Sequence, residues 1–422
     1  MNLRLFAITL GLSVSLCEPL ATAAEPSAAA PWTVGTPIVT YWCGPAVTDA
    51  VAKQMADGGW NLVWCGEGEL DTVKRHGLRG KLTHPLLSPA SLDDPKKLGQ
   101  LDALIARVRQ HPALYAYYII DEPNASQFAA LGKLVAYLRE RDPAHMAYIN
   151  LFPTYATNEQ LGNQGDVVTA YQAHLRQFVD QVKPALISYD HYQFALAGDN
   201  PQYFLNLALI RRAALDSGVP FLNIVQACTW APTVMRVPTG DEMRYLVYTT
   251  LAYGAQGISY YIYTCPNHVG GIANADGSPT PLYHALKPLN HEFVAIAKEL
   301  QPLRSLGVYH TGMMPQGTES LPNDAAFTLD PPVASLEYKA PARVQGAMLG
   351  CFGPPGKSIA AATHAVVVAL DYKTGMTLGV RGPASLEIFD ATTGLWSSAN
   401  ASRAELRLSG DGGKLVRVRV RR

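Results

Sequence analysis

Acidic residues stand among aromatic ones where two apolar stretches end. Asp121 and Glu122 follow the stretch at 114–120, and Asp190 lies within Tyr189-Asp190-His191-Tyr192. A pair of carboxyl groups can protonate the oxygen of a glycosidic bond and stabilise the charge that develops as the bond breaks. Aromatic rings offer flat apolar faces on which the C–H surface of a sugar stacks. These residues therefore predict a site that cleaves a glycosidic bond, with a carbohydrate as substrate.

Glu122 is the strongest candidate for a general acid. It ends an apolar stretch and precedes Pro123, whose ring restricts the backbone, and a half-buried carboxyl there has a raised pKa. The alternative is a structural role, in which Glu122 interacts with backbone amides that begin the next helix. Asp190 and Asp121 are the candidates for the second carboxylate. Asp190 is placed to act as nucleophile, base or clamp for a substrate hydroxyl, or else has a structural role.

Eight short apolar or β-branched stretches are predicted to be buried strands, at 37–42, 60–65, 81–87, 114–120, 147–152, 186–192, 220–227 and 257–263. Helical patterns separate them, as at 94–110, 125–141, 170–182, 203–217 and 242–253, and a last helix is predicted at 281–306. Eight strand–helix units over about 270 residues match a (β/α)₈ TIM barrel, an α/β fold. A doubly wound open sheet is disfavoured, because the chain has neither a GxGxxG nor a GxxxxGK[ST] segment.

The ends of the predicted strands supply further candidates. In TIM barrels the active site is built at the carboxyl ends of the strands and on the loops that follow them. Each aromatic residue there can also seal the top of the core, and each histidine can be an ordinary buried polar residue. The residues predicted to bind substrate are Trp42, Trp64, Glu67, His84, Asn150, Tyr155, Tyr189, His191, Tyr192, Gln226, Trp230, Tyr260 and Tyr263.

Three segments resemble secreted barrel-type glycoside hydrolases of the clan A superfamily. They are IIDEP at 119–123, NLFPTY at 150–155 and LAYGAQGI at 251–258, and the resemblance covers most of 35–300. It implies a glutamate acid/base at the end of strand four, a position that Glu122 fills. It also implies a nucleophilic glutamate at the end of strand seven, where this chain departs from the pattern with Gln226, Cys228 and Trp230.

The adjacent acids are also similar to a pair in N-acetylhexosaminidases that use the substrate's own acetamido group as nucleophile. That resemblance implies that Asp121 polarises the acetamide and that Glu122 is the general acid, which would account for the missing glutamate of strand seven. A third possibility is an inverting mechanism with Asp190 as base. Carboxyl groups lie roughly 6.5–9.5 Å apart in inverting enzymes and about 5–5.5 Å apart in retaining ones. A carbohydrate-binding barrel without catalysis is the alternative from another class.

The cysteines raise a separate question. Cys43, Cys65, Cys228 and Cys265 are predicted at the ends of strands one, two, seven and eight, which are neighbours in a closed barrel. Disulfides Cys43–Cys65 or Cys228–Cys265 are one possibility, and buried thiols are another. A zinc site is disfavoured because no CxxC pair is present. The sequence therefore predicts neither a metal nor a cofactor.

The predicted barrel spans 31–306, and 307–422 is predicted to be an all-β, sandwich-like domain. Its strands are expected at 365–372, 376–380, 384–389 and 414–420, separated by turns rich in glycine. Arg417, Arg419, Arg421 and Arg422 alternate along the last of these. We interpret them as one face of an edge strand, where positive charge blocks further pairing, rather than as a surface for nucleic acid.

Residues 1–24 are predicted to be a signal peptide. One arginine precedes the apolar run 5–16, and Ala21-Thr22-Ala23 has the small residues of a cleavage site. The mature protein is therefore expected to be exported, to the periplasm or the extracellular space. No later stretch is apolar enough to predict a membrane span. With 34 Lys+Arg and 34 Asp+Glu, a nucleic-acid partner is not expected.

Overall fold

The computed structural model describes residues 30–409 and 412–419, so the predicted signal peptide lies outside the described residues. Eight strands form one parallel sheet: β1 (Ile38–Trp42), β2 (Leu62–Cys65), β3 (Arg79–Leu82), β4 (Leu114–Asp121), β5 (Met146–Leu151), β6 (Ile187–His191), β7 (Phe221–Gln226) and β8 (Gly257–Tyr261). Their order is β1–β8–β7–β6–β5–β4–β3–β2. The end strands also meet, since the Asn61 backbone N–H donates to the carbonyl of Val39 (3.0 Å). The sheet is therefore a nearly closed barrel.

Helices follow every strand of the barrel. They are α1 (Asp49–Asp57), α2 (Leu70–Arg75), α3 (Pro95–Val108), α4 (Phe128–Arg141), α5 (Asn158–Leu161), α6 (Val167–Val182), α7 (Tyr203–Ser217), α8 (Gly240–Ala252) and α9 (Pro281–Leu300). Local sequence begins several of them. The Asp94 side chain, for example, accepts the free amides of Lys96 and Lys97 at the start of α3. The predicted TIM barrel is confirmed.

The inside of the barrel is a packed core and not a channel. Branched side chains fill its lower part, as with Ile38, Leu62 and Leu222. Larger rings close its upper part, towards the carboxyl ends of the strands: Trp42, Tyr118, Tyr148 and Tyr261. The opposite face of each strand packs against the helices in a separate and larger core. The floor of any site at the top of the barrel is therefore aromatic.

Two predicted elements end earlier than expected, and prolines account for both. Strand β3 ends at Leu82 instead of residue 87, because Pro85 cannot donate to a neighbouring strand and restricts the residue before it. The last helix ends at Leu300 instead of residue 306, and Pro302 follows it closely. Residues 83–87 therefore form a loop beyond β3.

The strands that follow the barrel are antiparallel and form two sheets. They are β9 (Arg304–Gly312), β10 (Thr328–Asp330), β11 (Gly346–Gly353), β12 (His364–Ala369), β13 (Met376–Arg381), β14 (Leu386–Asp390), β15 (Leu395–Ser398), β16 (Arg403–Leu408) and β17 (Gly413–Val418). The six-stranded sheet has the order β9–β11–β12–β17–β14–β15, and the three-stranded sheet has the order β10–β13–β16. A shared core joins the sheets, with Leu349 from one and Val380 from the other. Strand β9 begins inside the segment that the sequence had assigned to the barrel.

The interpretation of the C-terminal arginines as an edge strand is wrong. Strand β17 pairs on one side with β12 and on the other with β14. The hairpin of β14 and β15 extends the sheet past β17, so β17 lies inside it. Arg417 binds the Glu387 carboxylate (2.7 Å) and lies over the ring of Trp396. Arg421 and Arg422 lie outside the described residues.

The six-stranded sheet packs against the barrel through helix α8. Strand β11 approaches so closely that a Cβ atom at Gly350 would overlap the carbonyl oxygen of Ala252. A second contact reaches the loop after β6, where Tyr372 donates its hydroxyl to the Asp199 carboxylate (2.8 Å). The ring of Tyr372 also meets Phe194 edge-on, with ring centres 5.5 Å apart. Within 30–409 and 412–419, no helix is both long enough and apolar enough to span a membrane.

Candidate active site

A cavity of about 300 Å³ lies at the carboxyl ends of the barrel strands. The three acidic candidates, Asp121, Glu122 and Asp190, all line it. Five of the residues predicted to bind substrate line it as well: Trp42, Asn150, Tyr155, Tyr192 and Trp230. The remaining lining residues are Phe152, Pro153, Ala156, Gln160, Ile224 and Tyr261. The cavity thus combines three carboxyl groups with an aromatic wall.

An irregular backbone explains how Asp121 and its neighbour Glu122 both reach this cavity. Successive side chains of a regular strand point to opposite faces. In β4 a bulge shifts the pairing with β5 between Tyr118 and Ile120, and Glu122 has a φ of 44°. Such a left-handed conformation is rare for residues other than glycine and is found preferentially at functional sites. The Glu122 backbone N–H donates to the carbonyl of Asn150 (2.8 Å), which holds the turn in place.

Asn150 joins two of the carboxylates. Its side-chain Nδ2 donates to Asp121 Oδ1 (3.0 Å) and to Asp190 Oδ1 (2.9 Å). Its Oδ1 accepts from the hydroxyl of Ser188 (2.9 Å), and Ser188 lies 2.7 Å from the Tyr148 hydroxyl. Because Ser188 uses its only proton on Asn150, Tyr148 donates to Ser188. This chain of donors fixes the orientation of the buried Asn150 amide.

Glu122 and Asp190 both line the cavity and are close enough for each to affect the pKa of the other. Burial raises the pKa of Glu122 far above its usual range, and the charges of Asp190 and Asp121 raise it further. Burial and the charge of Asp121 also raise the pKa of Asp190, but the hydrogen bond from Asn150 opposes that effect. Of these two acids, Glu122 therefore keeps its proton to the higher pH.

Asp121 differs from the other two acids in its surroundings. Its side chain is open to the cavity at the end of β4. Burial among the surrounding residues raises its pKa, whereas the hydrogen bond from Asn150 and the charge of Lys81 lower it. Asp121 therefore shares the Asn150 donor with Asp190, and Lys81 also acts on it.

Aromatic rings form one side of the cavity. Trp230, Tyr192 and Tyr261 contact one another, with ring centres between 4.9 and 5.2 Å apart. Trp230 and Tyr155 are each 41% exposed, which is unusual for such large side chains in this protein. Exposed rings beside carboxyl groups are suited to stacking against a polar ligand that has apolar faces.

Three predicted residues lie near the barrel mouth without lining the cavity. Trp64 lies behind Trp42, with ring centres 4.8 Å apart. Glu67 forms an ion pair with Arg107 of α3 (2.6 Å). The Nδ1 atom of His84 accepts the backbone N–H of Leu86 within the loop after β3.

Five other predicted residues point away from the cavity or lie beneath its wall. The Gln226 amide binds the backbone of Phe194 and of Arg236. Strand alternation directs the others into the layer between strands and helices. There the Tyr260 hydroxyl donates to Asn290, and the Tyr263 hydroxyl accepts from Gln54. Tyr189 and His191 are fully buried in the same layer.

Two residues that the sequence analysis missed belong to the site. Tyr261 lines the cavity in place of its neighbour Tyr260. Lys81 lies inside the barrel on β3, wholly buried among aromatic rings. A lysine within a predicted buried strand was the available signal, because charged side chains are almost never fully buried without a partner.

Of the two possibilities for the cysteines, the disulfides are not formed. In the described part of the chain Cys43, Cys65, Cys228, Cys265 and Cys351 are all free thiols. Cys43 has a φ of 45°, and burial together with the nearby Cys265 raises the pKa of its thiol. No group of three or more His, Cys, Asp or Glu side chains in 30–409 and 412–419 is arranged to hold a metal ion.

No protein-family model and no curated protein matches the chain. Similar solved structures include a glucosidase from Croceicoccus marinus (13% identity, TM-score 0.46, 92% of this chain and 96% of the other). A putative α-L-fucosidase from Bacteroides thetaiotaomicron has 11% identity and a TM-score of 0.43, covering 66% and 100%. An endo-α-mannosidase from the same organism has 11% identity and a TM-score of 0.41, covering 60% and 79%. The barrel assignment rests on the strand order of the chain itself.

Proposed function

We propose that this protein is a glycoside hydrolase that acts on an oligosaccharide or polysaccharide, with Glu122 as its general acid. The observation that carries the proposal is the position of Glu122 beside Asp190 and Asp121 in the lining of one cavity, where burial and their charges raise its pKa. A general acid must hold a proton at the working pH and lie within reach of the leaving group. Burial and two neighbouring carboxyl groups give Glu122 the first property, and its place in the cavity lining gives it the second.

A sugar entering the cavity would compete for the Glu122 proton. When the glycosidic oxygen accepts that proton, the Asp190 carboxylate would act as the base or nucleophile. Asn150 keeps Asp190 in position during this exchange, because its amide also binds Asp121. Trp230 and Tyr155 at the entrance would stack on the apolar faces of the sugar rings.

Two mechanisms could use this pair of acids. Asp190 would act as the base that activates water in an inverting enzyme, or as the nucleophile in a retaining one. Proton NMR of the first product anomer would decide between inversion and retention.

A specific observation also favours a substrate-assisted N-acetylhexosaminidase. Asp121 and Glu122 both line the cavity, and β7 contributes Ile224 to the wall instead of a carboxylate. In that mechanism Asp121 would orient the acetamido group that attacks the anomeric carbon. Faster hydrolysis of N-acetylated than of plain aryl hexosides, with D121N abolishing only the former, would support it. Equal rates on both substrates would eliminate it.

The test of the proposed function is a panel of aryl glycosides and polysaccharides. Substitution Glu122→Gln should lower kcat/KM on the active substrate by about 10² to 10⁴, the usual contribution of a general acid. The matched control is Glu140→Gln, on the exposed surface of α4, which should behave as wild type. Unchanged turnover in E122Q would remove Glu122 from the mechanism. Sugar binding without turnover of any substrate would instead support the carbohydrate-binding barrel.

We also propose that the mature protein is exported to the periplasm or the extracellular space. The support is the sequence of 1–24, with its arginine, apolar run and small residues before the cleavage site. Amino-terminal sequencing of the protein from its native host would test this. A mature chain that begins near residue 24 is the expected result, and an intact residue 1 in the cytoplasmic fraction would contradict it.

A further inference from the structure

Lys81 lies in the barrel just below the cavity. It projects from β3, has no exposed surface, and its Nζ lies 3.8 Å from the ring centre of Trp64 and 4.1 Å from that of Tyr148. A third ring, that of Trp42, lies 5.2 Å away. Within the described chain the Nζ atom has no hydrogen-bond partner. Three aromatic faces and no acceptor therefore surround this amine.

This environment has opposing effects on the charge of Lys81. Burial lowers the pKa of Lys81 well below its usual value, and the negative charge of Asp121 and, to a smaller extent, the thiol of Cys65 oppose that effect only in part. The faces of aromatic rings also attract a cation, most strongly when the cation is desolvated. The faces come from β1, β2 and β5, and Asp121 comes from β4. Asp121 is therefore the charged partner available to a buried ammonium here.

We propose that Lys81 is a positioning residue, an ammonium held by three aromatic faces that keeps Asp121 as an ionised carboxylate beneath the substrate. This inference rests on the proposed function only where it concerns catalysis. Lys81 attracts the Asp121 carboxylate without occupying its oxygens, so these remain available to Asn150 and to a ligand. With Asp121 ionised, the proton of the three acids stays on Glu122.

Lys81 is connected to the same acids by a second route. The Tyr148 ring that faces its Nζ carries the hydroxyl that begins the donor chain through Ser188 to Asn150. The Trp42 ring that faces it is also part of the cavity lining. Replacing the ammonium therefore alters both the charge and the packing beneath the acids, and a test must separate these effects.

The first experiment measures the charge of Lys81 in the wild-type protein and needs no enzymatic activity. In protein labelled with ¹³C at lysine Cε, the Lys81 signal is recognised by the upfield ring-current shift of its protons. We expect an ammonium at neutral pH whose titration moves to lower pH in D121N, because that variant removes an attracting negative charge. An uncharged amine at neutral pH, or the same titration in D121N, would overturn the proposal.

The second experiment separates charge from packing through the pH profile of kcat/KM. Lys81→Met keeps the length of the side chain and removes its charge, and Lys133→Met makes the same change on the exposed surface of α4. Without the ammonium the pKa of Asp121 rises, so the acid limb of the profile should move to higher pH in K81M but not in K133M. Lys81→Arg should restore part of the wild-type profile.

An equal loss of kcat/KM at every pH in K81M would show that Lys81 has a packing role alone. If K81M does not fold, the NMR titration of the wild-type protein and D121N decides the question. That titration also tests the charge of Lys81 independently of the proposed function, because it needs no hydrolysis of a substrate.

Discussion

Glu122 and Asp190 line the same cavity, and the charge of Asp190 adds to burial in raising the pKa of Glu122. Glu122 directly follows β4 and Asp190 lies in β6, and the strand between them supplies Asn150, which donates to the Asp190 carboxylate. Holding an acidic proton in this way is unfavourable once the solution pH exceeds the ordinary pKa of a carboxyl group. The arrangement therefore links the stability of the fold to the proposed chemistry.

We expect Glu122→Gln to stabilise the protein increasingly as the pH rises. The pKa of Glu122 is raised in the folded state, so its contribution to stability is complete below the unfolded-state pKa and is lost as the pH rises towards the folded-state value. An amide has no such proton to lose. Melting temperatures of the two proteins at about pH 4 and about pH 8 should diverge, by about 2–4 °C for each kcal/mol. A constant difference at both values would contradict the raised pKa.

Substitution Asn150→Ala should reduce both activity and stability. It removes the donor shared by Asp121 and Asp190 and leaves the Ser188 hydroxyl without its acceptor. Losing a buried partner of this kind costs about 1–3 kcal/mol of unfolding free energy. Tyr148→Phe breaks only the outer bond of the chain and should have a smaller effect on kcat. Chemical denaturation and kinetics of both variants would check this order, and a larger effect of Y148F would refute it.

The exposed ring of Trp230 should contribute to affinity more than to the chemical step. Trp230→Ala removes a stacking surface at the edge of the cavity, which is worth about 0.5–1.5 kcal/mol. We expect KM to rise by about three- to tenfold with little change in kcat. Trp230→Phe keeps an aromatic face and should recover most of the affinity. A fall in kcat with unchanged KM would place this ring in the reaction instead.

Substitution Gly350→Ala should weaken the contact between the six-stranded sheet and helix α8. The added methyl group would overlap the carbonyl oxygen of Ala252, and overpacking of this kind costs about 1–3 kcal/mol. Gly99→Ala is the matched control, since its Cβ on α3 would meet no neighbouring atom and alanine favours helix. Thermal denaturation should therefore show a loss for G350A and a small gain for G99A. Equal stability of both variants would contradict the close approach.

The barrel could be predicted from the sequence because strand and helix patterns alternate so regularly. Glu122, Asp190 and Asn150 were found because they lie at or near the carboxyl ends of predicted strands, and residues at that position reach the cavity. The facing of the tyrosines in β8 could not be predicted. Every position from 260 to 263 is aromatic or apolar, so the sequence does not show which of these side chains face the inside of the barrel and which face the helices. Tyr261 was missed for that reason, and Tyr260 was chosen in its place.

Other errors came from interactions distant in sequence. The surroundings of Lys81 depend on rings from β1, β2 and β5, and no local pattern shows that these rings meet. The position of β17 inside its sheet depends on a hairpin that pairs beyond it. Likewise the Cys43 thiol meets Cys265, more than 200 residues away in the printed sequence. Local periodicity does not encode any of these contacts.

The bond from Tyr372 to Asp199 makes the C-terminal sheets a brace for one wall of the proposed catalytic chamber. The loop that contains Asp199 continues directly from Asp190 and Tyr192, so a change that makes this loop more mobile should also disturb the position of the Asp190 carboxylate. Deleting the β-sheet region to look for a separate sugar-binding role would therefore impair the barrel as well. A lower activity of the truncated protein would therefore reflect the loss of this support for the barrel loop, and it would not show that the C-terminal sheets bind carbohydrate.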